Sequence, residues 1–158
     1  GIVVYAKTKQ MAALLASARK EQLLHKEYLA IVKGKFEEQS GTLTYTLGKE
    51  KGIRGRSVTV DGQNCITNYE VIIEGNFFSL IKVHIETGRL HQIRAGMAYF
   101  GHPLIGDRLY GGSMHAMKRP ALHCWKVEFI HPKTKKQIKI ECKLPDDMQK
   151  VVDKLQEK

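Results

Sequence analysis

The sequence predicts an α+β fold built on a mixed, largely antiparallel sheet that is flanked by helices. Short β-branched and apolar runs alternate with glycine-bearing turns, and other stretches carry apolar residues at helical spacing. Most connections are also too short to contain a crossover helix, which favours antiparallel neighbours. The 158 residues show no repeat and no Pro- or Ser-rich linker, so we expect a single domain over 1–158.

Eight runs have the composition of strands, and glycines at positions such as Gly34, Gly41, Gly62 and Gly75 separate several of them. The predicted strands are 2–6, 28–32, 43–47, 58–60, 65–73, 77–85, 123–129 and 137–142. The run at 2–6 is expected to be a buried strand, because it is almost entirely apolar and β-branched.

Three stretches predict helices. Thr8 is placed to cap the first, a second begins near Gly88, and a third begins at Asp146. Their apolar positions recur at helical spacing, which is i, i+3, i+4 and i+7 in the first and third stretches and i, i+3, i+7 and i+10 in the second. These positions are Met11, Leu14, Leu15 and Ala18 in the first helix, Leu90, Ile93, Met97 and Phe100 in the second, and Met148, Val151, Val152 and Leu155 in the third.

The charge balance predicts a polyanionic partner. The chain carries 26 Lys and Arg against 16 Asp and Glu, a formal net charge of +10. The basic residues are spread through the chain rather than gathered in a tail, which favours a folded basic surface over a disordered arm. The alternative is that the excess charge only aids solubility. Nucleic acid is the partner that the composition favours.

Several other functions lack their sequence signatures. Cys65, Cys124 and Cys142 form no CxxC pair, which favours free thiols in a reducing cytoplasm. The seven histidines show no HExxH or comparable spacing, so we expect no metal. No GxxxxGK[ST] or GxGxxG loop and no G-x-S-x-G elbow is present. No apolar stretch approaches the length of a membrane span, so no membrane partner is expected.

The stretch 86–111, ETGRLHQIRAGMAYFGHPLIGDRLYG, is the most informative part of the chain. It places basic side chains and a glycine-rich turn beside one short apolar helix. His91 and Arg94 are one helical turn apart and can reach the same ligand. The stretch therefore indicates an anion-binding site, although a solvated amphipathic helix with ordinary surface charge is the alternative.

Four segments together resemble the RNA pseudouridine synthases of the RluA type. They are HKEYLAIVKG (25–34), GQNCITNYEVI (62–72), ETGRLHQIRAGMAYFGHPLIGDRLYGG (86–112) and ALHCWKVEFIHP (121–132). Their order and spacing match the blocks of that family over nearly the whole chain. The resemblance implies the catalytic-domain fold of these synthases and the isomerisation of uridine within RNA, without a cofactor or metal.

The resemblance also implies roles for two residues. In that family a tyrosine of the K-x-Y-x-A block packs on the target base, and the last arginine of HQIR pairs with a catalytic aspartate. These residues are Tyr28 and Arg94 here. An aromatic ring suits a base that has left its stack, and an arginine suits a carboxylate that must stay ionised and aimed. The alternatives are a core tyrosine and a phosphate-binding arginine.

The family's catalytic aspartate has no counterpart in the sequence. It belongs to a block resembling H-R-L-D-x-x-T-S-G, whose last glycine corresponds to Gly1, so the aspartate would lie five residues before Gly1. We interpret Asp61 and Asp107 as turn residues and Glu86 as a helix cap. The chain alone is therefore expected to bind RNA without isomerising it. The alternative is a non-catalytic RNA-binding protein that shares the fold.

Basic residues outside the catalytic pair are expected to bind the RNA. These are Arg54, Arg56, Arg89, His91, Arg108 and Arg119. We expect a cytoplasmic monomer whose partner is ribosomal RNA rather than transfer RNA.

Overall fold

A computed structural model describes residues 1–49, 52 and 54–157 of the protein. Its strands are β1 (Leu24–Lys33), β2 (Ser40–Gly48), β3 (Ser57–Val58), β4 (Gln63–Glu74), β5 (Phe78–Ile85), β6 (Leu122–Ile130) and β7 (Gln137–Glu141). They form one seven-stranded sheet in the order β3-β2-β4-β5-β1-β6-β7. The predicted α+β class is confirmed, and every pairing between these strands is antiparallel.

The helices are α1 (Lys9–Lys20), α2 (Gln92–Tyr99) and α3 (Asp146–Gln156), with a short 3₁₀ helix at Arg108–Tyr110. The predicted cap of α1 is confirmed, because the Thr8 hydroxyl accepts a hydrogen bond from the Met11 N–H at 3.1 Å. The predicted start of α3 at Asp146 is also confirmed. No helix among the described residues is long and apolar enough to span a membrane.

The sheet has a hydrophobic cluster on each face. Because side chains alternate along a strand, Ala30 and Val32 of β1 lie in the cluster that contains Ile93 and Met97 of α2. Ile31 points to the opposite face, where α3 packs through its buried residues. These α3 residues are Met148, Val151 and Val152. Full burial of an apolar side chain of this size contributes about 1.5–3 kcal/mol, so both helices are held mainly by packing.

The chain after α2 runs beside the C-terminal end of β1. The Lys33 N–H donates to the Pro103 carbonyl at 3.0 Å, and the Ile105 N–H donates to the Ile31 carbonyl at 3.0 Å. β6 pairs with β1 only as far as Ala30, and the segment 103–105 pairs with the last residues of β1 instead. It fixes the turn that begins at Asp107, whose carboxylate contacts α2.

The predicted strand at 2–6 is wrong. The Ile2 N–H donates to the Cys124 carbonyl at 2.8 Å, but the following residues form no strand. Val3 and Tyr5 are 61% and 84% exposed. The reason is that β6 already lies between β1 and β7, and β7 pairs with it only from Lys126 onward. Only a short stretch of the β6 edge is left for the segment.

Two predicted boundaries also differ from the structure. The predicted helix near Gly88 begins only at Gln92, because His91 has the left-handed φ of +57° and interrupts it. Leu90 is consequently 60% exposed instead of packing on the helix face. The predicted strand 58–60 is reduced to Ser57–Val58, and Val60 is 95% exposed.

The first residue of α2, Gln92, connects the preceding loop to β4. Its side chain is 2% exposed. The amide nitrogen donates to the Ile66 carbonyl (3.1 Å) and the Thr67 hydroxyl (3.0 Å). The amide oxygen accepts from the Thr87 hydroxyl (2.8 Å) and the Arg89 N–H (3.1 Å). One buried side chain thus fixes where α2 begins.

We expect Gln92→Ala to destabilise the protein strongly, because it leaves several buried polar groups without partners. The free energy of unfolding should fall by about 2–4 kcal/mol. Urea unfolding measures this difference. Gln149→Ala, at an exposed position of α3, is the matched control and should change stability by about 0.5 kcal/mol or less. Equal stability of the two variants would show that the Gln92 hydrogen bonds do not hold the loop.

Candidate active site

Tyr28 lies in a cleft of about 670 Å³ between the C-terminal turn of α1, the first half of β1 and the loop after β5. The ring is partly buried against the cluster under α2. Burial raises the pKa of Tyr28 to about 12; the nearby Cys124 thiol adds to this rise, and Arg19 opposes it. The phenol therefore stays protonated at neutral pH, and the cleft presents an uncharged aromatic ring.

The cleft is strongly basic. Its charged and titratable lining residues, besides the phenol, are Arg19, Lys20, His25, Lys26, His84, Glu86 and Arg89. Of these, only Arg89 was predicted as an RNA-binding residue. Arg19 and Lys20 of α1 were missed because the helical periodicity shows the apolar face of α1 but not which strand or loop lies beside its polar residues. Lys26 is itself the lysine of the K-x-Y-x-A block, two residues before Tyr28, and this position was the available signal.

Arg19 joins α1 to the loop that precedes α2. Its Nη2 donates to the Gly88 carbonyl at 2.5 Å. A Cβ added at residue 88 would overlap the guanidinium group of Arg19, so the absence of a side chain at Gly88 leaves room for that group. The loop is therefore held by Arg19 on one side and by Gln92 on the other.

Arg94 forms a bidentate ion pair with Asp107. Its Nε and Nη2 donate to the two carboxylate oxygens at 2.7 and 2.8 Å. The Asp107 side chain is fully buried, whereas one fifth of the Arg94 side chain is exposed. The hydrogen bond to Asp107 raises the pKa of Arg94 above its usual value. The guanidinium thus keeps its charge and is fixed in orientation.

This pair refines the interpretation of Asp107 and supplies a partner for Arg94. The main chain of Asp107 does form a turn, since its carbonyl accepts from the Gly112 N–H at 2.8 Å. Its carboxylate, however, binds Arg94 rather than local backbone. The bidentate contact uses Nε and Nη2, so Nη1 of Arg94 is not bonded to Asp107.

Glu86 does not cap α2, so that prediction is wrong. The helix is preceded by His91, five residues after Glu86, and no acidic residue lies in its first turn. Instead Glu86 accepts a hydrogen bond from the Asn68 amide at 2.9 Å at the edge of the cleft. The late start of the helix explains the difference. Asp61 is exposed in the turn between β3 and β4, as predicted for a turn residue.

His91 and Arg56 meet at Tyr110. The ring Nδ1 of His91 lies 2.9 Å from the Tyr110 hydroxyl, and the Arg56 N–H donates to the same hydroxyl at 2.8 Å. Burial lowers the pKa of His91, and the nearby Arg94 lowers it further. The guanidinium of Arg94 lies 5.1 Å from the centre of the Tyr110 ring. Two predicted RNA-binding residues are thereby grouped around Arg94.

The other predicted RNA-binding residues are more widely placed. Arg54 and Arg108 are exposed, and Arg89 lines the Tyr28 cleft, where its Nε donates to the Asn64 carbonyl at 3.3 Å. Arg119 forms a bidentate pair with Asp147 of α3 at 2.8 Å.

Tyr28 and Arg94 lie on the same face of the sheet, because Tyr28 packs on the cluster that includes α2. Arg94 is not among the residues that line the cleft. The structure therefore contains two groups of candidate residues on one face of the sheet, one around Tyr28 and one around Arg94. Within the described part of the chain, no group of three or more His, Cys, Asp or Glu residues is arranged to hold a metal ion.

Comparison with known proteins agrees with this picture. Residues 1–99 match the family described as RNA pseudouridylate synthase. The "Uncharacterized RNA pseudouridine synthase YjbO" of Bacillus subtilis (strain 168) is 39% identical over 153 residues, which cover 96% of this chain and 54% of that protein. The "Ribosomal large subunit pseudouridine synthase D" of Blochmanniella floridana is 32% identical over 169 residues, covering 96% and 53%. The chain thus spans about half the length of these curated relatives.

A solved structure, "Human RNA Pseudouridylate Synthase Domain Containing 1", shares the fold with a TM-score of 0.75 at 20% identity, covering 97% of this chain and 74% of that one. The resemblance seen in the sequence motifs is confirmed by the family match and by the relatives. The chain belongs to the RNA pseudouridylate synthase family.

Proposed function

We propose that the protein containing this chain isomerises specific uridines in RNA to pseudouridine. The bond between N1 of uracil and C1′ of the ribose breaks, the base turns, and C5 bonds to C1′. The proton leaves C5, and N1 ends protonated. The observation that carries the proposal is the neutral aromatic ring of Tyr28 inside a basic cleft. Such a ring can stack on a base taken out of its helix, while the surrounding cations attract the RNA backbone.

Ribosomal RNA is the proposed substrate. The name of the Blochmanniella floridana relative, a ribosomal large subunit pseudouridine synthase, supports this choice. The excess of basic residues is consistent with any long RNA, so it does not by itself favour one class of RNA. The choice therefore rests on the relative and not on the cleft.

Arg94 is proposed to aim the catalytic carboxylate. Asp107 holds Nε and Nη2 of Arg94 from the buried side, which leaves Nη1 for a second acceptor. A second carboxylate beside a fixed guanidinium stays ionised and keeps one orientation. In this proposal Asp107 positions the arginine, and the arginine positions the nucleophile that the family resemblance implies.

We also propose that the 158-residue chain alone binds RNA without isomerising uridine. The proposal is supported by the environments of three acidic residues. Asp107 is occupied by Arg94, Glu86 is bonded to Asn68, and Asp61 is exposed in a turn. None of the three has the combination of burial and free oxygens that a nucleophile beside Tyr28 requires.

Residues 1–158 are therefore expected to release no tritium from ribosomal RNA labelled at C5 of uridine. The physical reason is that C5 loses its proton only when the isomerisation is completed. A gel-shift measurement on the same sample should show bound RNA, which separates lack of catalysis from misfolding. Tritium release would overturn the proposal, and Asp107→Asn, Asp61→Asn and Glu86→Gln would then identify the nucleophile.

A second prediction concerns salt. The affinity for RNA should fall steeply with rising salt, with a log–log slope of about 0.7 for each phosphate bound on a single strand. Replacing Arg54, Arg56 or Arg108 with Ala should reduce the slope by about that amount. Arg119→Ala should have a smaller effect, because Asp147 already neutralises it.

Lys150→Ala is the matched control for these variants, since Lys150 is exposed on α3, which packs on the face of the sheet opposite to Tyr28. Its slope should equal that of the unmodified chain. A flat plot for the unmodified chain would remove the electrostatic argument and would support charge that serves solubility only.

The third prediction is that Arg94→Ala in the complete enzyme lowers the single-turnover rate by about 10²-fold or more while RNA affinity changes little. Arg94→Lys should restore little, because an ammonium lacks the bidentate geometry. Removing Arg94 also leaves Asp107 buried without a counter-ion, which costs about 3–5 kcal/mol of stability. Thermal unfolding must therefore accompany each rate.

The double variant Arg94→Gln with Asp107→Asn separates catalysis from stability. It removes both charges, so no buried charge is left unpaired. We expect its stability to recover while its rate stays low. If the rate recovers together with the stability, Arg94 is a structural residue and the proposed role is wrong.

A further inference from the structure

Tyr110 connects three segments that carry candidate functional residues. Its hydroxyl accepts the Arg56 N–H at 2.8 Å and lies 2.9 Å from Nδ1 of His91. Its ring lies against the guanidinium of Arg94, 5.1 Å from ring centre to Cζ. Its own N–H donates to the Asp107 carbonyl at 3.2 Å. The loop around Arg56, the start of α2 and the Arg94–Asp107 pair thus meet at one side chain.

The Tyr110 hydroxyl can accept one hydrogen bond and donate another. A backbone N–H only donates, so the hydroxyl oxygen accepts from Arg56 and its proton is free for Nδ1 of His91. This direction requires that Nδ1 carries no proton. A protonated Nδ1 would instead donate to the second lone pair of the hydroxyl oxygen. The charged groups that face His91 are Arg94, Arg56 and Asp107, and together with burial the two cations lower the pKa of His91.

The basic loop approaches Tyr110 closely because residue 55 is a glycine. A Cβ at Gly55 would lie 2.6 Å from the Tyr110 hydroxyl oxygen, well inside van der Waals contact. Gly55 also has a φ of +90°, which side chains disfavour. The backbone of Gly55 and Arg56 is therefore held beside the ring that contacts Arg94, and Arg54 precedes it directly in the chain.

We propose that Tyr110 is a positioning residue that fixes the basic loop 54–56 relative to Arg94. RNA bound through the two arginines of the loop is thereby aligned with the Arg94 guanidinium, which is proposed to aim the catalytic carboxylate. The identity of the ligand rests on the proposed function, whereas the coupling between the loop and Arg94 does not. A hydroxyl group shared by the two segments can transmit a displacement of either one to the other.

The test is Tyr110→Phe in the 158-residue chain, compared with Tyr99→Phe. Tyr99 is 63% exposed on α2, and its hydroxyl makes no hydrogen bond to the described residues, so it is a matched control. Two NMR measurements need no RNA: the hydrogen exchange of the Arg56 amide and the shift of the Arg94 Nε–H signal. A third measurement is the salt slope for binding of a fluorescein-labelled oligouridylate.

In Tyr110→Phe we expect the Arg56 amide to exchange about tenfold or more faster, because its hydrogen-bond acceptor has been removed. The Arg94 signal should shift, and the salt slope should fall by about 0.7 for each phosphate that the variant no longer binds. The Tyr99→Phe variant should show none of these changes. Thermal unfolding of both variants identifies any general loss of structure, which would speed exchange throughout the chain instead of at Arg56.

Gly55→Ala provides an independent variant, since its methyl group displaces the loop while the Tyr110 hydroxyl remains. It should reproduce the Arg56 and Arg94 changes. If both variants leave the Arg56 amide and the Arg94 signal as they are in the unmodified chain, the proposal is overturned. If both signals change but the unmodified chain does not bind oligouridylate, the coupling is supported and the proposed function in RNA binding is not.

Discussion

The bidentate pair between Arg94 and Asp107 is the interaction on which the candidate site depends. It connects α2, which packs on the central strands, to the turn that follows the segment beside β1. A fully buried carboxylate is costly unless a cation pairs with it in good geometry. The pair therefore fixes both the rotation of α2 about its axis and the position of the turn. The Tyr110 ring, three residues beyond Asp107, is placed by the same constraint.

The candidate residues lie around one face of the sheet, and the opposite face has a different character. On that opposite face, α3 covers an apolar area of the sheet around Ile31 and Leu80. Beyond the area that α3 covers, Lys82 forms an ion pair with Glu70 at 2.6 Å. Further ion pairs join lysines and glutamates of β6 and β7. The residues of these β6 and β7 ion pairs are Lys126, Glu128, Lys139 and Glu141. Charges that neutralise each other attract a polyanion weakly. The Tyr28 cleft differs, because its lining includes Arg19, Lys20, Lys26 and Arg89 but one carboxylate, that of Glu86.

Most of the strands and helices could be predicted from the sequence because their apolar periodicity reflects burial. The cap at Thr8 and the start of α3 at Asp146 are local features that the chain itself determines. The segment 2–6 could not be predicted correctly, since its composition suits a strand but the sheet offers it almost no free edge. Whether a run finds a partner depends on the whole sheet and not on the run.

The candidate site residues could be predicted only where a sequence motif or a cluster of basic residues contained them. Tyr28 and Arg94 came from the resemblance to a family, and the basic loop came from its composition. The Arg94–Asp107 pair could not be read from the sequence, because the left-handed His91 determines which way α2 faces. Gln92 was missed for a related reason. Glutamine is usually exposed to solvent, so the burial of Gln92 follows only from the position of the loop that surrounds it.

The order of the strands has a consequence for how the chain is made. β1 lies between β5 and β6, which come about 50 and 100 residues later in the chain. On the ribosome, the apolar residues Ala30, Ile31 and Val32 are therefore synthesised long before either partner strand exists. The cluster around Ile31 cannot close until α3, which follows β6 and β7, has emerged. The nascent chain must therefore keep these apolar residues from associating with other chains until their partners appear, and α3 is the last of those partners to leave the exit tunnel.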